Sequence, residues 1–209
     1  MNWELIHRFN SLIVGAFIVG HLGVHLMAVV SPELHGEGLV AMGRIYSEPI
    51  YEGLLIVFIL IQIFSGYMEL KLFGKSGWKL VRNLSGAYLL LFMLLHVVSV
   101  FYARYVDSIP TDFYWVAGAF ANETLTWFAV GFYGLAVFSF FTHMIAVWAL
   151  HWKTMPRGVL ATSWIVGIST TALILLAFSG SLYSIEIPDY VSADYEAKIA
   201  PLLNFLEGL

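Results

Sequence analysis

Cysteine is absent from this chain of 209 residues. Disulfides, thiolate zinc sites and cysteine-ligated iron–sulfur clusters are therefore excluded within it. Charge is scarce too, at 11% Asp, Glu, Lys and Arg, where soluble domains carry about a quarter. No basic stretch points to nucleic acid. No Rossmann glycine fingerprint offers a flavin site. Internal repeats and low-complexity segments are also lacking. The N-terminus, Met1-Asn2-Trp3-Glu4-Leu5-Ile6-His7-Arg8, lacks a positive n-region, and no small-residue cleavage site closes the run that follows, so that run is expected to be retained. What fills the chain is apolar: 60% of it is hydrophobic. That excess cannot be hidden in one small core, and lipid is its natural solvent.

Five stretches carry no Asp, Glu, Lys or Arg: Phe9–Val30, Gly53–Met68, Asn83–Ala103, Thr124–Leu150 and Gly158–Ile185. A helix crosses a bilayer with about 20 apolar residues. Four stretches suffice, and the second does once Glu52 and Glu69 sit at the interfaces. The expected fold is all-α, an integral membrane bundle of five transmembrane helices at approximately 9–30, 50–72, 83–104, 124–151 and 158–184, forming one domain over 1–209. With the N-terminus inside, the inner segments hold Arg8, Lys71, Lys75, Lys79, Arg82, Lys153 and Arg157, and the outer ones only Arg44, Arg104 and Lys198. This bias favours a cytoplasmic N-terminus and an outer C-terminus. The outer loops, Ser31–Pro49 and Arg104–Glu123, and the tail from Glu186 are long, and suit short interfacial helices. Trp3, Trp78 and Trp152 read as interfacial anchors.

Ionisable side chains inside a membrane are costly and usually functional. His21, His25, His96 and His143 fall within apolar runs. Each alone also suits a hydrogen bond to a neighbouring helix. Depth separates them. His21 lies 13 positions past Arg8, roughly 20 Å in, and His96 lies 14 past Arg82, roughly 21 Å in. Two imidazoles at one level on the first and third helices can grip a planar ligand from both sides, and haem b is the obvious candidate. His143, 10 before Lys153, and Gln62, 9 before Lys71, mark a second level at roughly 15 Å. Glutamine is a poor haem ligand, but it bonds well to an imidazole or a quinone carbonyl. Gly15, Gly66 and Gly86 leave room for a porphyrin edge or for close helix packing.

On these residues the chain resembles the single-chain, five-helix cytochrome b subunit of succinate dehydrogenase and fumarate reductase. The third helix carries Arg82-Asn83-Leu84-Ser85-Gly86 with His96 ten residues after the glycine. The first carries Gly15-Ala16-Phe17-Ile18-Val19-Gly20-His21-Leu22. The fourth carries Phe132-Tyr133 followed by His143, and the second keeps Gly66 four after the ligand position. That ligand position is occupied by Gln62 rather than the family histidine. The resemblance runs from about Arg8 to the end of the fourth helix, and the fifth matches only in being apolar.

The resemblance implies that His21 and His96 ligate an outer haem b and that His143 is one ligand of an inner haem. With Gln62 in place it implies one haem rather than two, the alternatives being an inner haem held by His143 alone or with another histidine. His25, a rival ligand, suits a place near an outer quinone or a propionate. It further implies a flavoprotein and an iron–sulfur subunit docked on the cytoplasmic face, electron relay to or from menaquinone or ubiquinone, and a cell inner (cytoplasmic) membrane. The chain is then a quinone-reactive or non-catalytic subunit of an oxidoreductase. Glu48, Glu52 and His25 on the outer side, and His7, Arg8, Asn10, Ser11, Arg82 and Ser85 on the inner, are candidates around the quinone headgroup, with Arg8 and Arg82 also able to pair with propionates or lipid phosphate. Rival readings are a haem b anchor of hydrogenase or formate dehydrogenase type, a haem-free anchor or assembly factor, and a transporter, for which no repeat symmetry is evident.

Overall fold

A computed structural model of the chain describes residues 1–46, 48–70, 77–152 and 154–207. They form eight helices and, among the described residues, no strand: α1 Trp3–Met27, α2 Pro32–Tyr46, α3 Pro49–Leu70, α4 Gly77–Tyr105, α5 Phe113–Ala121, α6 Thr126–His151, α7 Arg157–Phe178 and α8 Asp189–Glu207. Five of these, α1, α3, α4, α6 and α7, are long and apolar enough to cross a membrane. The protein is a multi-pass, five-helix membrane bundle. Lys71, Lys75 and Lys153, three of the basic residues that orient the chain, lie outside the described residues.

Three ends differ from expectation: α4 begins at Gly77 rather than at residue 83, and the other two differ for local reasons. α1 begins at Trp3 rather than at residue 9, because the Asn2 side chain caps it, accepting the Leu5 N–H at 3.1 Å. Glu4 in its first turn complements the helix dipole and sits 3.6 Å from Arg8. α7 stops at Phe178, short of 184. Gly180 has φ 72°. The Gly180 N–H reaches the Ala177 carbonyl and the Ser181 N–H reaches that of Leu176, the paired bonds of a left-handed glycine stop.

The spans close into a ring. α1 packs on α3, α3 on α4, α4 on α6 and α6 on α7, and α7 returns lightly to α1. Among the described residues α1 does not pack directly against α4 or α6, so across the middle only side chains meet. Small residues let α6 and α7 approach: a Cβ at Gly167 would lie 2.7 Å from Phe141 Cβ, and one at Gly134 3.1 Å from Leu175. α2, α5 and α8 all lie at the outer end. α5 is not interfacial as its loop suggested. Asp112 caps it through the Tyr114 and Trp115 N–H groups, it carries no charge, and Phe113 and Trp115 to Phe120 are buried beneath α2, α6, α7 and α8. It plugs the outer mouth of the ring.

Candidate functional site

The outer half of the bundle holds four histidines in series. His96 on α4 and His21 on α1 face each other across the gap, with ring centres 6.2 Å apart and planes at 56°. His21 Nε2 is 3.0 Å from His25 Nε2, and His25 Nδ1 is 3.1 Å from His35 Nε2. His35 comes from α2, is 1% exposed, and packs roughly perpendicular to the stacked rings of Phe113 and Phe178. Phe17 stacks on His21 and Phe92 on His96, both at 11°, each from one turn earlier on the same helix. Burial holds His35 neutral, its pKa pushed down to about 4, with the His21 charge adding to the effect.

His25 bridges His21 to His35. His35 is the member that sequence reasoning missed. The local signal was present, since Ser31-Pro32-Glu33 is a helix start with a capping serine, a first-turn proline and a first-turn acid. The Ser31 hydroxyl accepts the Leu34 N–H at 3.2 Å, which places His35 in the first turn. What was not readable is that α2 folds back over the end of α1. There Gly38 admits Met27 and Val24, whose side chains would meet an added Cβ at 2.6 and 3.1 Å.

Glu52 stands apart from the histidines. Its carboxylate accepts from Tyr105 Oη at 3.1 Å and pairs with Arg104 at 3.7 Å, clamping the outer ends of α3 and α4. Glu48 is exposed.

The inner half holds a second polar group. Asn10 Nδ2 donates to Gln62 Oε1 at 2.7 Å and to the Phe58 carbonyl at 2.8 Å. Gln62 Nε2 is 3.2 Å from His7 Nε2, and His7 Nδ1 is 3.1 Å from Ser65 Oγ. Across from them, His143 Nδ1 lies 3.0 Å from the Arg82 carbonyl and 3.4 Å from Ser85 Oγ. The Arg82 guanidinium bonds Asn83 Oδ1. Arg8 pairs with Glu4, and Ser11 donates to the Arg8 carbonyl, both on the exposed side of α1. His143 and Arg82 are near enough to His7 to act on it electrostatically. The structure therefore gathers His7, Asn10, Gln62, Arg82, Ser85 and His143, and leaves Arg8 and Ser11 at the rim.

The spacing of the outer histidine pair bears on a haem. Two bonds of about 2 Å from iron to imidazole, plus roughly 1.1 Å from each nitrogen to its ring centre, require about 6.2 Å between ring centres. The observed spacing meets this. His96 Nδ1 is buried without a partner. An imidazole has only two nitrogens, so ligation through His21 Nε2 exchanges the His25 bond for iron. Among the described residues no group of three or more His, Asp or Glu gathers as a bare metal centre, whereas a porphyrin brings four nitrogens and needs two axial ligands. The ring spacing suits a bis-imidazole haem, with His21 Nε2 directed at His25 in this structure. Compared with known proteins, the chain matches no family model, no curated protein and no solved structure.

Proposed function

We propose that this chain is a haem b-binding membrane subunit of a quinone-linked oxidoreductase of the succinate dehydrogenase/fumarate reductase kind, seated in the cell's cytoplasmic membrane. The observation that carries the reading is the His21–His96 pair, at iron-bridging distance where two helices meet only through side chains. When bound, haem b supplies one-electron transfer. The chain's residues do the rest. His21 and His96 would hold the iron, and Phe17 and Phe92 keep their rings from turning. The apolar spans exclude water, and the α5 plug closes the outer mouth. Lys79, Arg82 and Arg157 mark the face on which flavoprotein and iron–sulfur partners dock, since this chain has no flavin or iron–sulfur site of its own.

The test is a pyridine haemochrome assay on the purified chain, with identification of co-purifying subunits. One haem per chain is expected, with a bis-imidazole low-spin spectrum lost in His96→Ala while the chain still inserts. Unchanged haem in that variant rejects the ligand pair. The His21–His25 bond favours one rival, a haem-free anchor in which these rings only pack. A purified native chain without a haem band supports that rival instead.

A further inference from the structure

We propose that His25 is a positioning residue that competes with haem: it occupies the His21 nitrogen that iron needs, so that haem binding and the seating of α2 on the bundle oppose each other. This rests on the haem reading above and names what regulates that site.

The conflict lies at one atom. An imidazole nitrogen has a single in-plane direction, filled by a hydrogen or a lone pair, and so serves one partner at a time. His21 Nε2 is 3.0 Å from His25 Nε2. The His96 ring that would share an iron with it lies across the gap, 6.2 Å away between centres. The other nitrogen of His21, Nδ1, sits next to its own Cβ, where a porphyrin would run into α1. Nε2, at the far end of the ring, is the atom that can reach an iron held between two helices.

Packing decides which partner yields. Phe17 stacks on His21 at 11° from one turn earlier on α1 and restrains that ring. The parallel neighbour of His25 comes instead from α2: His35, with ring centres 5.3 Å apart and planes at 13°. A neutral imidazole has one hydrogen and one lone pair. His25 uses one toward His21 and the other toward His35, whose Nε2 is 3.1 Å from His25 Nδ1. To release His21, His25 must either leave its Nε2 unpaired in an apolar interior or turn, and turning breaks the bond to His35.

That second bond carries the effect to α2. His35 is 1% exposed and its Nδ1 is buried without a partner. The bond to His25 is the only side-chain hydrogen bond of His35 among the described residues. A buried nitrogen that loses its partner is costly where no water can replace it. What the His25–His35 pair loses when His21 turns to iron is lost from the docking of α2. Linkage makes the effect reciprocal: haem loosens α2, and a loosened α2 favours haem.

The experiment uses the full chain in lipid nanodiscs, prepared without haem and titrated with haemin, with α2 amide exchange measured before and after loading. His25→Leu removes the competitor. It should bind haemin about tenfold more tightly than the native chain, because no buried partner is left unpaired on loading, and should keep the bis-imidazole low-spin spectrum. A histidine that merely packs would leave affinity unchanged or lower it on removal. In the native chain α2 exchange should quicken about tenfold on loading, and in His25→Leu loading should leave it unchanged. Equal or weaker affinity in His25→Leu overturns the proposal, and so does native α2 exchange that loading does not alter; haemin binding by the native chain then leaves the haem reading standing. A native chain that binds no haemin overturns both. Should His25→Leu misfold, the exchange of α2 in the native chain decides alone.

Discussion

Acid should undock α2 from the rest of the outer cap, and His35 should be the reason. The ring is 1% exposed and its pKa is held near 4, against 6.5 when unfolded, by burial and then by the His21 charge. A histidine with a depressed pKa is bound in its neutral form. Its contribution is complete above pH 6.5 and is lost as the pH falls toward 4, because the opened state takes up a proton that the closed state refuses. The drop from 6.5 to 4 is worth about 3 kcal/mol. The neighbours offer a cation no relief: α1 presents His25 and His21, α5 presents Phe113 and α7 presents Phe178. The assay is hydrogen exchange of α2 amides in nanodiscs, corrected for intrinsic rates, from pH 7.5 to 4.5. Protection should be flat above pH 6.5 and then fall about 100-fold by pH 4.5. In His35→Phe, which fills the pocket without a titrating group, the slope should vanish. Protection unchanged down to pH 4.5, or an equal fall in His35→Phe, refutes the reasoning.

Three further perturbations test the packing. Gly180→Ala keeps ordinary contacts, with Ile185 Cδ1 at 3.6 Å, but forces a side chain into φ 72°, and should cost about 1 kcal/mol, read as a lower thermal midpoint. Gly167→Ala puts a methyl 2.7 Å from Phe141 Cβ, an atom tied to the α6 backbone; it should part α6 from α7 and cost about 1–3 kcal/mol, while Gly158→Ala, with open space around it, should be silent. Lys198 bridges Asp107 and Asp194 at 2.7 Å each, and although desolvation works against it, these carboxylates raise its pKa on balance. Lys198→Met should free α8 from the end of α4, seen as faster proteolysis within 189–207.

His21 and His96 were readable as partners because helix rise converts position into depth, and both are counted from a basic residue at the same interface. His25 was visible as a residue but not as a bridge, since its partner His35 arrives from α2. Gln62 was visible as an amide inside an apolar run. That it holds His7 was not, because the bond joins residues 55 positions apart. Glu52 was visible as a carboxylate entering the membrane, but its bonds to Arg104 and Tyr105, which clamp α3 to α4, were not.

The sequence by itself determined that there are five spans, where they lie, and which titratable groups are sunk in them. Those follow from apolar run length, and a run too long and too uncharged for water has few alternatives. The tertiary structure decided what each buried polar group faces: the ring of helices that keeps α1 and α4 apart, the buried α5 plug, and the direction of every shared hydrogen. A polar side chain in lipid must find a partner wherever packing brings one. That partner is set by which helices touch and how they are turned, which no local pattern of residues records.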